Sequence, residues 1–259
     1  MARITATDVY LDYPVYTTSR QRSILGFAAN RASFGRVARD ASNIQIVQAL
    51  RGVSFDLKTG DRLAVLGRNG SGKTTLLKLC AGLISPTAGT LVAEGTRATM
   101  LNAGAGFDVD KTGVENIEHV GLLMGISRNG RKALLDDVAE FTELGDFLNL
   151  PLRTYSAGMI VRIMFALATS VQRDILIVDE VIGAGDAHFV EKAAKRVRSM
   201  FDRAKILVVA THSHAIAAQL CNRAILMDSG HAVMEGHPDE VWKAYLDDRP
   251  PTPPIEVVA

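Results

Sequence analysis

Nine residues, Gly67-Arg68-Asn69-Gly70-Ser71-Gly72-Lys73-Thr74-Thr75, constrain the fold of this chain more than any other stretch. They fit the spacing Gly-x4-Gly-Lys-Ser/Thr. The apolar run Leu63-Ala64-Val65-Leu66 precedes them and reads as a buried strand. Leu76, Leu77, Leu79, Cys80 and Leu83 follow at a spacing that gathers them on one face of a helix. Strand, glycine-rich loop and helix in this order make a cradle for phosphate. Glycine lets backbone N–H groups turn inward without a Cβ clash, and the new helix aims its positive end at the anion. A lysine at position 73 can reach the β- and γ-phosphates of a nucleotide, and the Thr74 hydroxyl can bind Mg²⁺.

The rest of the composition narrows the class. A length of 259 residues suits one large domain or a core with a subdomain, and 47% hydrophobic residues allow a sizeable core. The net charge of +1 gives no global pull toward nucleic acid, which is not expected as a partner. No apolar run approaches the ~18 residues that span a bilayer. The N-terminus lacks the apolar core of a secretion signal. Cys80 and Cys221 sit in apolar helical patterns and read as buried thiols. The expectation is a protein on the cytoplasmic side.

Along the chain, residues 4–13 read as a strand. Residues 17–45 break the pattern and hold Arg20, Arg22, Arg31, Arg36 and Arg39 against one acid, Asp40. This stretch is a solvated basic loop, or a contact with anionic lipid headgroups or a membrane partner. A strand follows over 44–58 and a short one at Thr90–Ala93. Three helical patterns, Val114–Met124, Lys132–Leu144 and Met159–Thr169, then interrupt the strand–helix alternation. Buried strands return at Ile175–Val178 and Ile206–Ala210, with helices at Val190–Asp202 and Ala215–Cys221. The turn Asp228-Ser229-Gly230 joins a hairpin, and Asp239 caps a last helix containing Trp242 and Tyr245. The expected division is a nucleotide-binding core over 1–103 (with the basic insertion 17–45), a helical subdomain over 104–170, the second part of the core over 171–248, and a proline-rich tail over 249–259.

Asp174-Ile175-Leu176-Ile177-Val178-Asp179-Glu180 is an apolar strand ending in two carboxylates. Beside a phosphate loop, the first acid can hold Mg²⁺ and the second can polarise a water for in-line attack on the γ-phosphate. Between these motifs stands Tyr155-Ser156-Ala157-Gly158-Met159, which resembles the signature sequence of ATP-binding-cassette (ABC) ATPases, usually Leu-Ser-Gly-Gly-Gln. Asp186 matches that family's loop aspartate and His212 its switch histidine. The resemblance covers nearly the whole chain. It implies an α/β fold: a P-loop NTPase core with an antiparallel β subdomain and an inserted α-helical subdomain.

The form Tyr-Ser-Ala-Gly-Met is similar to the ATPases of polysaccharide and polyol-phosphate exporters. So are Gly104-Ala105-Gly106-Phe107, Thr112-Gly113-Val114-Glu115-Asn116 and Gly185-Asp186-Ala187-His188-Phe189, and so is a basic insertion before the phosphate loop. Longer members of that branch carry a C-terminal carbohydrate-binding domain, which the sequence is expected to lack. The resemblance implies ATP and Mg²⁺ as cofactors. It assigns ATP to Gly67 through Thr75, Mg²⁺ to Thr74 and Asp179, and catalysis to Glu180 and His212. Where the family's loop usually places a Gln on the metal, Asn102 or Ala103 stands here. Asn102 is the expected ligand, although it is one methylene shorter. Tyr13 is taken over Tyr16 as the adenine-stacking ring; either could instead pack on the sheet edge. In the family the signature binds ATP held by the other subunit. Ser156, Ala157, Gly158 and Met159 are therefore expected to act in trans in a homodimer, with Asp186 at its interface. Separate integral membrane permease subunits would dock beside residues 102–125, leaving this chain peripheral to the cytoplasmic face of the membrane. The implied function is to power export of a polysaccharide or polyol phosphate. The alternative is a soluble ABC-type ATPase in translation or DNA maintenance, whose usual second cassette, coiled coil or zinc module has no counterpart in this sequence. A regulatory module without turnover is at odds with Lys73, Asp179, Glu180 and His212 all standing in place.

Overall fold

The computed structural model describes residues 1–15, 37–39, 45–99, 106–179 and 187–247. In chain order its strands are β1 (Arg3–Val15), β2 (Val37–Arg39), β3 (Gln45–Lys58), β4 (Arg62–Leu66), β5 (Ala88–Glu94), β6 (Arg97–Thr99), β7 (Ile175–Asp179), β8 (Ile206–Ala210), β9 (Arg223–Asp228) and β10 (His231–Gly236). Its helices are α1 (Lys73–Ala81), α2 (Gly113–Leu123), α3 (Arg128–Thr142), α4 (Ala157–Ser170), α5 (Ala187–Arg203), α6 (His214–Leu220) and α7 (Pro238–Leu246). Asn102, Ala103, Glu180, Asp186, the arginines at 20, 22, 31 and 36, and the tail from 249 lie outside the described residues.

The first sheet is antiparallel in the order β2-β3-β1-β5. Ile4 and Ala6 point to the core, yet so do Val9 and Leu11. A bulge explains the change of parity: the register shifts between Ala6 and Val9, where Asp8 takes φ 51. On the other side of the sheet Arg3 donates to Asp56 at 2.8 Å and Thr5 donates to the same carboxylate at 2.9 Å. These bonds hold the Asp56 pKa down at about 2.

The second sheet has the order β10-β9-β4-β8-β7-β6. Strand β4 runs parallel to both β8 and β9, while β10 returns antiparallel to β9. Every residue of β8 is buried, and so is all of β4 except Arg62. A strand covered on both faces reads as an unbroken apolar run, as both do in the sequence. Helix α1 buries Leu76, Leu77, Leu79 and Cys80 and stops at Gly82, whose φ of 74 suits glycine. Leu83 falls beyond this stop and is 48% exposed, so it does not belong to the buried face expected of it. Cys80 and Cys221 are buried, which pushes both thiols up to about 12.

The described residues divide into two compact units: those within Met1–Arg97, Ile177–Glu180 and Lys205–Ala259, and those within Ala98–Leu176 and Val181–Ala204. The second is mostly helical, with a core built on Ile117, Val138, Phe141, Ile163 and Leu167. It extends beyond 104–170, because α5 contributes Phe189 and Ala193 to the same core. Phe189 meets Phe141 edge-on at 5.4 Å.

Several boundaries differ from the sequence expectation. Helix α3 begins at Arg128, four residues before Lys132, because Ser127 caps it through Gly130 N–H. Strands β2 and β6 had no counterpart in the sequence reading; three-residue edges leave little periodicity to detect. Asp239 does not cap α7: Pro238 takes the first helical position after His237. The Asp239 carboxylate instead meets His214 Nε2 at 2.8 Å. Among the described residues no helix is long and apolar enough to cross a membrane.

Candidate nucleotide-binding site

The glycine-rich loop leaves the buried end of β4 and enters α1 at Lys73. Two of its glycines are required by close approach. A Cβ on Gly67 would stand 2.2 Å from the Met227 carbonyl oxygen, and one on Gly72 would stand 2.8 Å from that of Ala49. Both also have positive φ, 140 and 112. Lys73 is 8% exposed, and its ammonium donates to the carbonyls of Gly67 at 2.6 Å and Arg68 at 3.0 Å. The cation is thus held inside the loop that it would share with phosphate. The Ser71 hydroxyl, in a residue 4% exposed, has no hydrogen-bond partner among the described residues.

Thr74, in the first turn of α1, donates its hydroxyl to Asp179 Oδ2 at 3.0 Å. Asp179 is the last residue of β7 and Thr74 lies 105 positions earlier in sequence. A hydroxyl and a carboxylate converging beside an N-terminal helix turn are an oxygen donor set suited to Mg²⁺. His212 follows β8, the strand next to β4; Val65 of β4 pairs with Ala210 two residues before it. The phosphate loop and His212 therefore leave the same end of two neighbouring parallel strands. This carboxyl end is where open α/β sheets bind ligands.

Tyr13 lies on β1 opposite Val47 of β3 and is 40% exposed. Two residues further along β3 is Ala49, whose carbonyl closes over Gly72. Tyr13 therefore lies on the strand pair that also carries Ala49. The phosphate loop, Asp179, His212 and Tyr13 belong to one unit.

Ser156, Ala157, Gly158 and Met159 belong to the other unit. Ser156 is the N-cap of α4 and accepts from Met159 N–H at 3.2 Å. The first three residues are exposed, and a Cβ on Gly158 would meet nothing closer than 3.9 Å. The result is an open N-terminus on a 14-residue helix, suited to an anion. Tyr155, in place of the family's usual leucine, is buried and donates its hydroxyl to the Phe147 carbonyl. The stretch Thr112–Asn116 has a structural explanation. Thr112 and Glu115 form a reciprocal capping box. Asn116, 0% exposed, donates to the Asp108, Lys111 and Thr112 carbonyls and accepts from Asp108 N–H.

Sequence reasoning missed the backbone that encloses the loop. Gly230 N–H donates to the Ser71 carbonyl and Arg51 N–H donates to the Gly230 carbonyl, both at 2.9 Å. The Asp-Ser-Gly turn signal was legible; its contacts with Ser71 and Arg51, far earlier in the sequence, were not.

A family model described as "ABC transporter" matches residues 50–183. The O-antigen export system ATP-binding protein RfbE of Yersinia enterocolitica is 40% identical over 230 residues, covering 89% of this chain and 96% of that protein. RfbB of Myxococcus xanthus, of the same description, is 37% identical over 90% of this chain and 54% of its own length. The teichoic acids export ATP-binding protein TagH of Lactococcus lactis is 30% identical over 89% of this chain and 49% of its own length. The chain thus spans about half of the last two. In fold it is similar to the ATP-binding cassette MJ0796 bound to ADP and Pi, with TM-score 0.64, 19% identity, and 91% and 98% of the two chains covered. It is also similar to an ATP-binding subunit of an ABC transporter, with TM-score 0.66, 19% identity, and 95% and 96% covered. The loop, the Thr74–Asp179 pair, the matched model and these relatives agree: the chain belongs to the ABC transporter family and is one of its ATP-binding ATPases.

Proposed function

We propose that this chain hydrolyses ATP to power export of a polysaccharide or polyol phosphate through separate membrane subunits. The hydrolytic part rests on the Thr74–Asp179 contact beside Lys73. The cargo rests on similarity to proteins named for O-antigen and teichoic acid export.

Each residue has a physical task. On nucleotide entry, Lys73 exchanges its bonds to the Gly67 and Arg68 carbonyls for bonds to the β- and γ-phosphates. Residues 67–75 present backbone N–H groups to the same phosphates. Tyr13 stacks on adenine. Thr74, Asp179 and Asn102 would hold Mg²⁺, which neutralises developing phosphate charge when bound. Glu180 orients the attacking water and accepts its proton, and His212 binds the γ-phosphate side of that centre.

The open N-terminus at Ser156–Met159 binds the γ-phosphate of ATP held by a second copy, so that two chains enclose two nucleotides, with Asp186 at their interface. Closure and reopening of this pair would move permease subunits docked beside residues 102–125. The chain would then sit peripherally at the cytoplasmic face of the membrane.

The test is Glu180→Gln, which keeps size and hydrogen bonding but cannot accept a proton. A positioned base contributes roughly 10²–10⁴-fold in rate. Phosphate release should fall by about two orders of magnitude or more within that range, with ATP still bound. Light scattering after size exclusion should detect an ATP-dependent dimer, because the step that separates the subunits is blocked. Near-normal phosphate release would remove Glu180 from the chemistry.

A further inference from the structure

We propose that the β9–β10 turn, Asp228-Ser229-Gly230, is a positioning element for the nucleotide, clamping the phosphate loop to strand β3. The turn touches both partners through one residue. Gly230 N–H donates to the Ser71 carbonyl in the loop, and the Gly230 carbonyl accepts from Arg51 N–H in β3, each at 2.9 Å. The strand leading into the turn adds a third point. A Cβ on Gly67 would stand only 2.2 Å from the Met227 carbonyl oxygen. On the β3 side, the Ala49 carbonyl closes over Gly72 at 2.8 Å and over Gly230 at 3.0 Å from their hypothetical Cβ atoms. Gly67, Ser71 and Gly72 are thus enclosed by backbone of strands β3 and β9 and of the turn that follows β9.

Backbone contacts of this kind fix a loop more tightly than side-chain contacts, because no rotamer can relax them. A loop that must present its N–H groups to phosphate gains from such preorganisation. The turn itself carries local cost. Asp228 and His231 pair directly across a two-residue loop in which Ser229 and Gly230 have φ 48 and 90. Two positive φ values define a type I′ hairpin turn, which favours Asn or Gly at the first position. Serine there is a non-glycine residue in the left-handed region, held by the surrounding contacts. The same hairpin continues into β10 and α7, so the loop is tied to the elements that end the described chain.

This inference rests on the reading of residues 67–75 as the ATP site, and the experiment separates the two. Equilibrium ATP binding, ATPase kinetics and melting temperature are measured for Lys73→Ala, Gly230→Ala, Ser229→Val, Ser229→Gly and Val241→Ala. Gly230→Ala and Ser229→Val each disturb the turn from a different position. Each should weaken ATP binding on the order of tenfold, since a left-handed non-glycine or β-branched residue costs about one tenfold step. KM for ATP should rise while kcat is largely kept. Ser229→Gly should hold ATP within about twofold of the parent. Val241→Ala empties a fully buried site in α7 and should lower the melting temperature with ATP affinity kept. Parent-like ATP affinity in both Gly230→Ala and Ser229→Val would overturn the clamp, as would an equal loss of affinity in Val241→Ala. Parent-like affinity in Lys73→Ala would overturn the loop reading itself.

Discussion

Lys73 has two roles that pull on the same loop. Its ammonium is nearly buried and satisfies two carbonyls in the structure described. Hydrogen bonds to a charged group contribute about 1.5–3 kcal/mol, or roughly ten- to a hundredfold in binding. Lys73→Ala should therefore weaken ATP by at least that order in equilibrium titration of labelled ATP. It also removes the ammonium from the Gly67 and Arg68 carbonyls, of which Arg68 keeps the Ser71 N–H, so the unliganded loop should exchange its amide hydrogens faster. This site was legible because its chemistry is local: glycine, lysine and threonine stand within nine residues. Asp179 was legible as a carboxylate ending an apolar strand, although its partner Thr74 lies far off in sequence. Tyr13 needed the β1–β3 register, which the break at 17–45 hides. Gly230 gave no sign of its partner at all, because a turn sequence encodes its own φ values and not what it packs against.

At the scale of elements, α4 separates capping from ligand binding. Ser156 caps the helix through Met159 N–H. Aspartate caps as well as serine does, but adds a negative charge where the second copy's γ-phosphate would sit. Ser156→Asp should keep the folding stability within about 1 kcal/mol of the parent's and lose most ATPase activity. Unchanged activity would remove Ser156 from the ATP contact. In the first turns of α2, Asn116 carries a structural load. Asn116→Leu strips the part-buried Asp108 N–H of its acceptor, while the Asp108, Lys111 and Thr112 carbonyls each lose one donor and keep a backbone N–H. A buried group so stranded costs roughly 1–3 kcal/mol. A fall of several degrees in melting temperature should follow, measured by calorimetry. The helices themselves were readable from their 3.6-residue period, and the misplaced starts trace to caps. Ser127 outranked the first strongly apolar position in α3, and Pro238 took the helix start that Asp239 had been given.

At the scale of the whole molecule, the sequence carried the α/β core and the inserted helices because strands β4, β7 and β8 are continuous apolar runs. It did not carry the extent of the helical unit. Phe189 and Ala193 of α5 join that core across a long stretch of chain, and a hydrophobic face does not name its partner. The central claim is that ATP hydrolysis by this chain drives glycan export. Its most direct test is the amount of polysaccharide reaching the cell surface when the only copy of the protein carries Glu180→Gln at parent-like abundance. The account predicts loss of surface polysaccharide with accumulation of the lipid-linked glycan inside, in step with the roughly hundredfold or greater fall in phosphate release. Surface polysaccharide at the parent level, with hydrolysis abolished, would contradict it.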